Sequence, residues 1–266
     1  YSPETVRALG TGARATLTSS ERLSLLGDTW WLARAGRRDI GAYLDLASSL
    51  AGDEAAPVTQ QIGRALAFTG EYLVTPAASE RFRTWVRERF AEELRTVGLP
   101  GRATDDDDVQ TRRATLLSLV GVTGDSSDLQ ARARTMASGY IDDSTSLPAA
   151  LASTVLDVAA THGDAALYDR YQEQLRRLSG QPEAYYRFFG ALTWFEDPAL
   201  VQRTLDFALS RDVRTQDTGR LIGGLLSRPW SRDAAWTFVT SRWDTLTERL
   251  GTFQGIPAIV GNLGNF

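Results

Sequence analysis

Apolar side chains return at steps of three and four along nearly the whole chain, the spacing of one face of an α-helix. In TLTSSERLSLLGDTWWLARAG, residues 16–36, Leu23, Leu26, Trp30 and Ala33 share a face. Thr18 and Glu21 there have the spacing of a capping box, and Gly36 ends the segment. DIGAYLDLASSLAG follows at 39–52, with Asp39 as an N-cap, Ile40, Tyr43, Ala47 and Leu50 on one face, and Gly52 as a stop. APVTQQIGRALAFTGEYLV (56–74) has Pro57 in its first turn, and SERFRTWVRERFAEELRTVG (79–98) carries a broad apolar face of Phe82, Trp85, Val86, Phe90, Leu94 and Val97.

The same pattern resumes after residue 105 with helices predicted over 108–121, 127–141, 147–163, 165–180, 182–195, 198–210 and 214–227, punctuated by Gly, Pro or Asp. Asp197 before Pro198 marks a clear start. In SRDAAWTFVTSRWDTLTERLG (231–251) the stripe Trp236, Val239, Trp243, Leu246 and Leu250 predicts a single helix from Ser231 to Gly251, with both tryptophans in the core. Arg242, Asp244, Thr247 and Glu248 form its wet face. Strand signals are thin: six Ile stand beside 33 Leu, and no clean alternation lasts. The fold class is therefore all-α. About twelve short helices cannot close as one four-helix bundle, so the expectation is a superhelix of antiparallel helix pairs, a HEAT/armadillo-like α-solenoid, as a single domain over 1–266. No fixed-period consensus is visible, and LPGRATDDDD (99–108) is the one non-helical break, a candidate internal hinge.

Composition narrows the classes. With 266 residues and 42% apolar, the chain can bury a substantial core. A net charge of −4 offers no basic stripe for phosphates, which argues against a nucleic-acid partner. All 29 basic residues are arginine, as a GC-rich genome would favour. The absence of cysteine excludes disulfides and thiolate metal sites and leaves bacterial cytoplasm and export equally open, so the localisation stays unknown. No run approaches the length of a membrane-spanning helix, and YSPETVRALG lacks the order of a signal peptide. A start at Tyr1 suggests a piece of a longer chain.

Candidate chemistry is sparse, and no catalytic or metal residue is assigned. Asp105 to Asp108 invite a magnesium reading, but four consecutive aspartates point around a helix, and a solvated run at a helix N-terminus accounts for them. His162, the sole histidine, cannot make a two-histidine zinc site. In ATHGD it ends a helix, where a cation suits the dipole. No G-x-S-x-G elbow partners it, and GTGAR and GIPAIVGNLGN lack the features of a phosphate loop. Opposed carboxylates of a toroidal glycosidase are neither supported nor excluded among 33 acidic residues.

Three segments carry a resemblance. SERLSLLGDTWWLARAGRRDIGAYLDLASSLAGDE (20–54), with Asp28, Gly36 and Glu54, RDVRTQD (211–217), and the 231–251 segment with Trp236 and Trp243 are together similar to the C-terminal helical domain of membrane-alanyl-aminopeptidase-type zinc metallopeptidases, the group that includes the endoplasmic-reticulum aminopeptidases. The chain lacks that family's H-E-x-x-H zinc helix and glycine-rich exopeptidase loop, which lie upstream in such enzymes, and GNLGNF comes where further helices are expected.

The resemblance implies a non-catalytic domain that encloses the substrate cavity and gates peptide access to an upstream catalytic domain, with no cofactor of its own and zinc in that upstream domain. Its implied partners are the upstream domain and the peptide. Arg214, Gln216 and Asp217 are the residues of the resembling turn that would contact substrate, unless Asp217 simply caps the next helix. An end left uncapped implies self-association. The alternatives are a free-standing helical-repeat scaffold for a protein or peptide partner, and a helical toroid enzyme.

Overall fold

The computed structural model describes residues 3–102, 104–251 and 255–261, and these contain helices and no strand. GNLGNF, from residue 262 on, and Tyr1 lie outside the described residues. The chain divides into two compact units, Tyr1–Leu129 with Leu147–Thr154, and Gln130–Ser146 with Val155–Phe266.

The first unit holds α1 (Pro3–Thr16), α2 (Ser19–Arg34), α3 (Ile40–Ser49), α4 (Ala56–Phe68), α5 (Ser79–Val97) and α6 (Asp107–Ser118). Helix α2 begins on the capping box: Glu21 N–H donates to Thr18 Oγ1 at 3.3 Å while the Thr18 N–H reaches the Glu21 carboxylate at 2.8 Å. Asp39 caps α3 through the Gly41 N–H at 2.7 Å. Helix α3 packs on α1 and α2, α4 on α2 and α6, and α5 on α6, around Leu26, Tyr43, Leu50, Ile62, Leu66 and Phe90. Helices α4 and α6 both finish in a π-helical turn, Thr69–Leu73 and Leu119–Thr123. The periodicity does not encode this widening. At the first, Gly70 leaves room for the Phe82 ring, 3.1 Å from where a Cβ would stand.

The break at 99–108 lies inside this unit. Arg113 of α6, nearly fully buried, donates to the carbonyls of Gly98 (2.7 Å) and Val97 (2.9 Å) and pairs with Asp105. Gly101, with φ of +93°, lets the guanidinium lie where any Cβ would collide with it.

Helices α7 (Ser127–Asp142) and α8 (Ala149–Thr161) begin in the first unit and continue in the second, which adds α9 (Ala165–Arg177), α10 (Pro182–Ala191), α11 (Pro198–Ala208), α12 (Thr215–Leu226), α13 (Arg232–Ser241), α14 (Trp243–Leu250) and α15 (Gly255–Val260). Asp197 starts α11 as expected, accepting from the N–H groups of Ala199 and Leu200. Helix α12 is the centre of this unit, packed on α15, α11 and α13 and also on α14 and α10, while α9 packs on α10 and α11 on α13. Helices α1 and α15 were not anticipated from periodicity.

One expectation is corrected here. The 231–251 segment is two helices, because Arg242 leaves the helical region at φ −122° and ψ 24°. Just before it, Thr240 and Ser241 hydroxyls bond back to the carbonyls of Trp236 (3.0 Å) and Phe238 (3.1 Å), competing with the backbone ladder. The buried residues are Ala235, Phe238, Val239, Leu246 and Leu250, so three of the five expected positions are core and Ala235 and Phe238 stand in place of the tryptophans. Trp236 and Trp243 are not core: each is 42% exposed.

Guanidinium groups tie the connections to the helices throughout. Besides Arg113, Arg87 donates to Gly124 O at 2.5 Å and Arg232 to Leu226 O at 3.1 Å. Arg249 of α14 holds the α11–α12 connection through the carbonyls of Leu209 (3.1 Å), Ser210 (2.8 Å) and Val213 (2.7 Å) and the hydroxyl of Thr218 (3.2 Å).

Candidate peptide-contact site at the start of α12

The second unit gathers polar groups where α12 begins. The connection before it is pinned by Arg249 and by Val213, which is buried, so that the next residue, Arg214, occupies the N-cap position with its side chain in solvent. No side chain caps this helix, so its first N–H groups have no side-chain acceptor. Gln216 is exposed beside it. Asp217 does not cap; it stands in the first turn, buried, and both its oxygens accept from the Tyr186 hydroxyl at 3.0 Å.

Tyr186 and its neighbour Tyr185 are the fifth and fourth residues of α10, which packs on α12. Their rings meet at 5.3 Å, and both lean on Phe189, at 5.6 Å from Tyr185 and 6.0 Å from Tyr186. Arg220, one turn further along α12, sits with its guanidinium 5.0 Å from the Tyr186 ring centre. Desolvation, first, and then the hydrogen bond to Asp217 and its charge raise the Tyr186 pKa, so the phenol stays protonated and donating. Burial and the Asp217 charge act the same way on Tyr185. The result is a surface of phenols and exposed guanidiniums around one buried carboxylate, able to accept an anion or a peptide backbone.

The structure thus brings together Arg214, Gln216 and Asp217. It adds Tyr185, Tyr186, Arg220 and Arg249, which sequence reasoning missed; the one local signal was the Tyr-Tyr doublet in PEAYYRFF, two adjacent hydroxyls that need partners.

The other candidates are placed elsewhere. Asp106 is the N-cap of α6, accepting from Val109 N–H at 2.8 Å, and Asp107 and Asp108 follow in its first turn. The carboxyl of Asp105 is held below its usual pKa by the Arg102 N–H first and the Arg113 guanidinium after it. His162 follows the last turn of α8 and meets Glu196 across 3.1 Å from its Nδ1. No three His, Cys, Asp or Glu side chains converge among the described residues, so this chain offers zinc no seat there. In the first unit a groove of about 490 Å³ runs between α4 and α6, lined by Gln60, Arg64, Thr111, Thr115 and Ser118.

Comparison with known proteins bears out the family resemblance. A family model described as the ERAP1-like C-terminal domain matches residues 1–265. Aminopeptidase 2, mitochondrial, of Saccharomyces cerevisiae is 24% identical over 90% of this chain and 25% of its own length. Aminopeptidase N of Lactococcus lactis subsp. cremoris is 23% identical over 89% of this chain and 28% of its own length. Aminopeptidase M1-A of Oryza sativa subsp. japonica is 25% identical over 90% and 27%. The chain therefore spans about a quarter of the length of the curated relatives it matches, and it belongs to the ERAP1-like C-terminal domain family of aminopeptidases.

Proposed function

We propose that this chain is the non-catalytic domain of a zinc aminopeptidase that encloses the substrate cavity and gates peptide access to an upstream catalytic domain. The observation that carries the reading is the family match along residues 1–265 together with coverage of only 25% to 28% of relatives named aminopeptidases. Zinc belongs to that upstream part of the parent, and no chemical step is assigned to the residues here. The packing of some alternate helices within each unit, α1 on α3, α2 on α4 and α4 on α6 in the first and α11 on α13 and α12 on α14 in the second, supports a superhelix of hairpins. At the start of α12 we assign Arg214 to a carboxylate of the peptide, Gln216 to its backbone, and Asp217 to holding Tyr186 as a donor toward it. The segment 99–108 is retained as a hinge only in the sense that Arg113 would have to release the Gly98 and Val97 carbonyls for it to open.

The test compares the full-length parent with this chain on a fluorogenic amino-acid amide and on a long peptide, with and without zinc. The parent cleaves both and the isolated chain neither. Arg214→Ala in the parent raises KM for the long peptide by about tenfold, the worth of one charge-assisted hydrogen bond, and leaves the amide unchanged. A parent inactive on both substrates overturns the reading in favour of a free-standing scaffold.

A further inference from the structure

Among the large apolar side chains exposed in the described residues, Trp31 is the most open, at 63%, although Trp30 beside it is core. The two indoles stand on different faces of α2, and only Trp30 belongs to the helix's packing stripe. Arg34, one turn on, places its guanidinium 5.4 Å from the Trp31 ring and 4.3 Å from that of Phe68. Phe68 in turn meets Tyr72 at 4.6 Å, and Leu73, next along the chain, is 47% exposed. On the other side, Trp31, Leu32, Arg37 and Arg38 border a shallow cavity of about 490 Å³ whose one acid is Asp28. Tryptophan and arginine are the side chains that anchor protein interfaces, and here three arginines surround an indole in a chain of net charge −4.

The position of α1 says what covers this corner. Helix α1 runs beside α3 in the same direction: Gly10 lies against Leu46 and Ser49, and Arg14 against Gly52. Counting back equal lengths of helix, the start of α1 at Pro3 lies by the start of α3 at Ile40, immediately after Arg37 and Arg38. A polypeptide preceding Pro3 is thus delivered to the Trp31 corner, where the tether gives a high effective concentration. The family is a C-terminal domain, and about three quarters of the relatives' length lies outside the matched region.

We propose that Trp31, Arg34, Arg37 and Arg38 form the seat on which the preceding part of the same polypeptide docks, through an acidic segment that also offers the indole an apolar pocket. This rests on the reading of the chain as one domain of an aminopeptidase parent.

Hydroxyl-radical footprinting of the full-length parent tests it, with cleavage of an amino-acid amide measured on the same preparation. Trp31 is expected to be oxidised about tenfold more slowly than a free indole, and in the parent bearing Arg37→Glu the oxidation speeds up and proteolysis just before Pro3 is accelerated about tenfold. Active parent with Trp31 oxidised at the free-indole rate overturns the seat and leaves the domain assignment standing. Protection that appears only when another protein is added also overturns it, in favour of a separate partner. An inactive parent instead removes the aminopeptidase reading, whatever Trp31 does.

Discussion

Asp157 of α8 is half-buried, and the enclosure of its carboxyl lifts its pKa from 3.8 to about 7, against the downward pull of the Arg228 charge. A folded-state pKa above the unfolded one means the native state holds the proton more tightly. The associated stability is complete below pH 3.8 and disappears as pH rises through 7. Urea unfolding should therefore show the protein losing stability relative to Asp157→Asn between pH 5 and pH 8, by up to roughly 2.5 kcal/mol for a shift of this size. Equal pH profiles for the two proteins would remove the argument. Nothing in TVLDVAATHG marks this aspartate from its neighbours, because burial by the fold and a charge as distant in sequence as Arg228 leave no short-range spacing to read. The caps Thr18, Asp39 and Asp197 were legible for the opposite reason: each satisfies N–H groups two or three residues ahead, so spacing alone states the contact. Asp217 fell between these cases. The turn that holds it was readable, but its partner Tyr186 comes from another helix, and no short-range spacing encodes that meeting.

Among the elements, α14 has the clearest division of labour. Leu246 and Leu250 are its anchors, while Arg249 reaches out to three carbonyls of the α11–α12 connection and a hydroxyl of α12. Arg249→Met keeps the stem and removes every donor, and since bonds from a charged donor are worth about 1.5–3 kcal/mol, the loss should be of that order. Amide exchange at 209–218 should accelerate with it, while exchange in α2 stays as it was; unchanged protection at 209–218 would show that the connection holds itself. The joint between α13 and α14 illustrates why element boundaries outran the pattern. The stripe Trp236, Val239, Trp243, Leu246, Leu250 fits one helix perfectly well, and only the hydroxyls of Thr240 and Ser241 hinted at the break. Placed on the flank of the buried stripe, the two tryptophans show that hydrophobic type alone does not select a face when smaller residues pack more closely. The π turns closing α4 and α6 were equally silent in the sequence, since each stands at the end of its helix, where no apolar rhythm follows to be displaced.

For the molecule as a whole, Trp31, Leu73, Trp236 and Trp243 remain in water when the chain is alone. Such side chains, unaccompanied by the remainder of a parent protein, favour self-association, so sedimentation equilibrium over a tenfold concentration range should show the weight-average mass rising, and Trp31→Ser should reduce the rise. A constant monomer mass would contradict this. The all-α class and the order of the helices were readable at this scale because periodicity is a property of every segment at once. The division into two compact units was not, because it depends on which helices meet rather than on where they lie in the chain. One consequence of the guanidinium ties concerns chemical ageing. Cyanate in old urea, reducing sugars and acyl donors erode proteins through lysine amines, and with 29 arginines and no lysine they find no side-chain amine here. Dicarbonyls, which condense with guanidinium, are the reagents to which these connections are open, and they should reach Arg214 and Arg37 long before Arg113 and Arg249, whose N–H groups are already occupied by carbonyl oxygens.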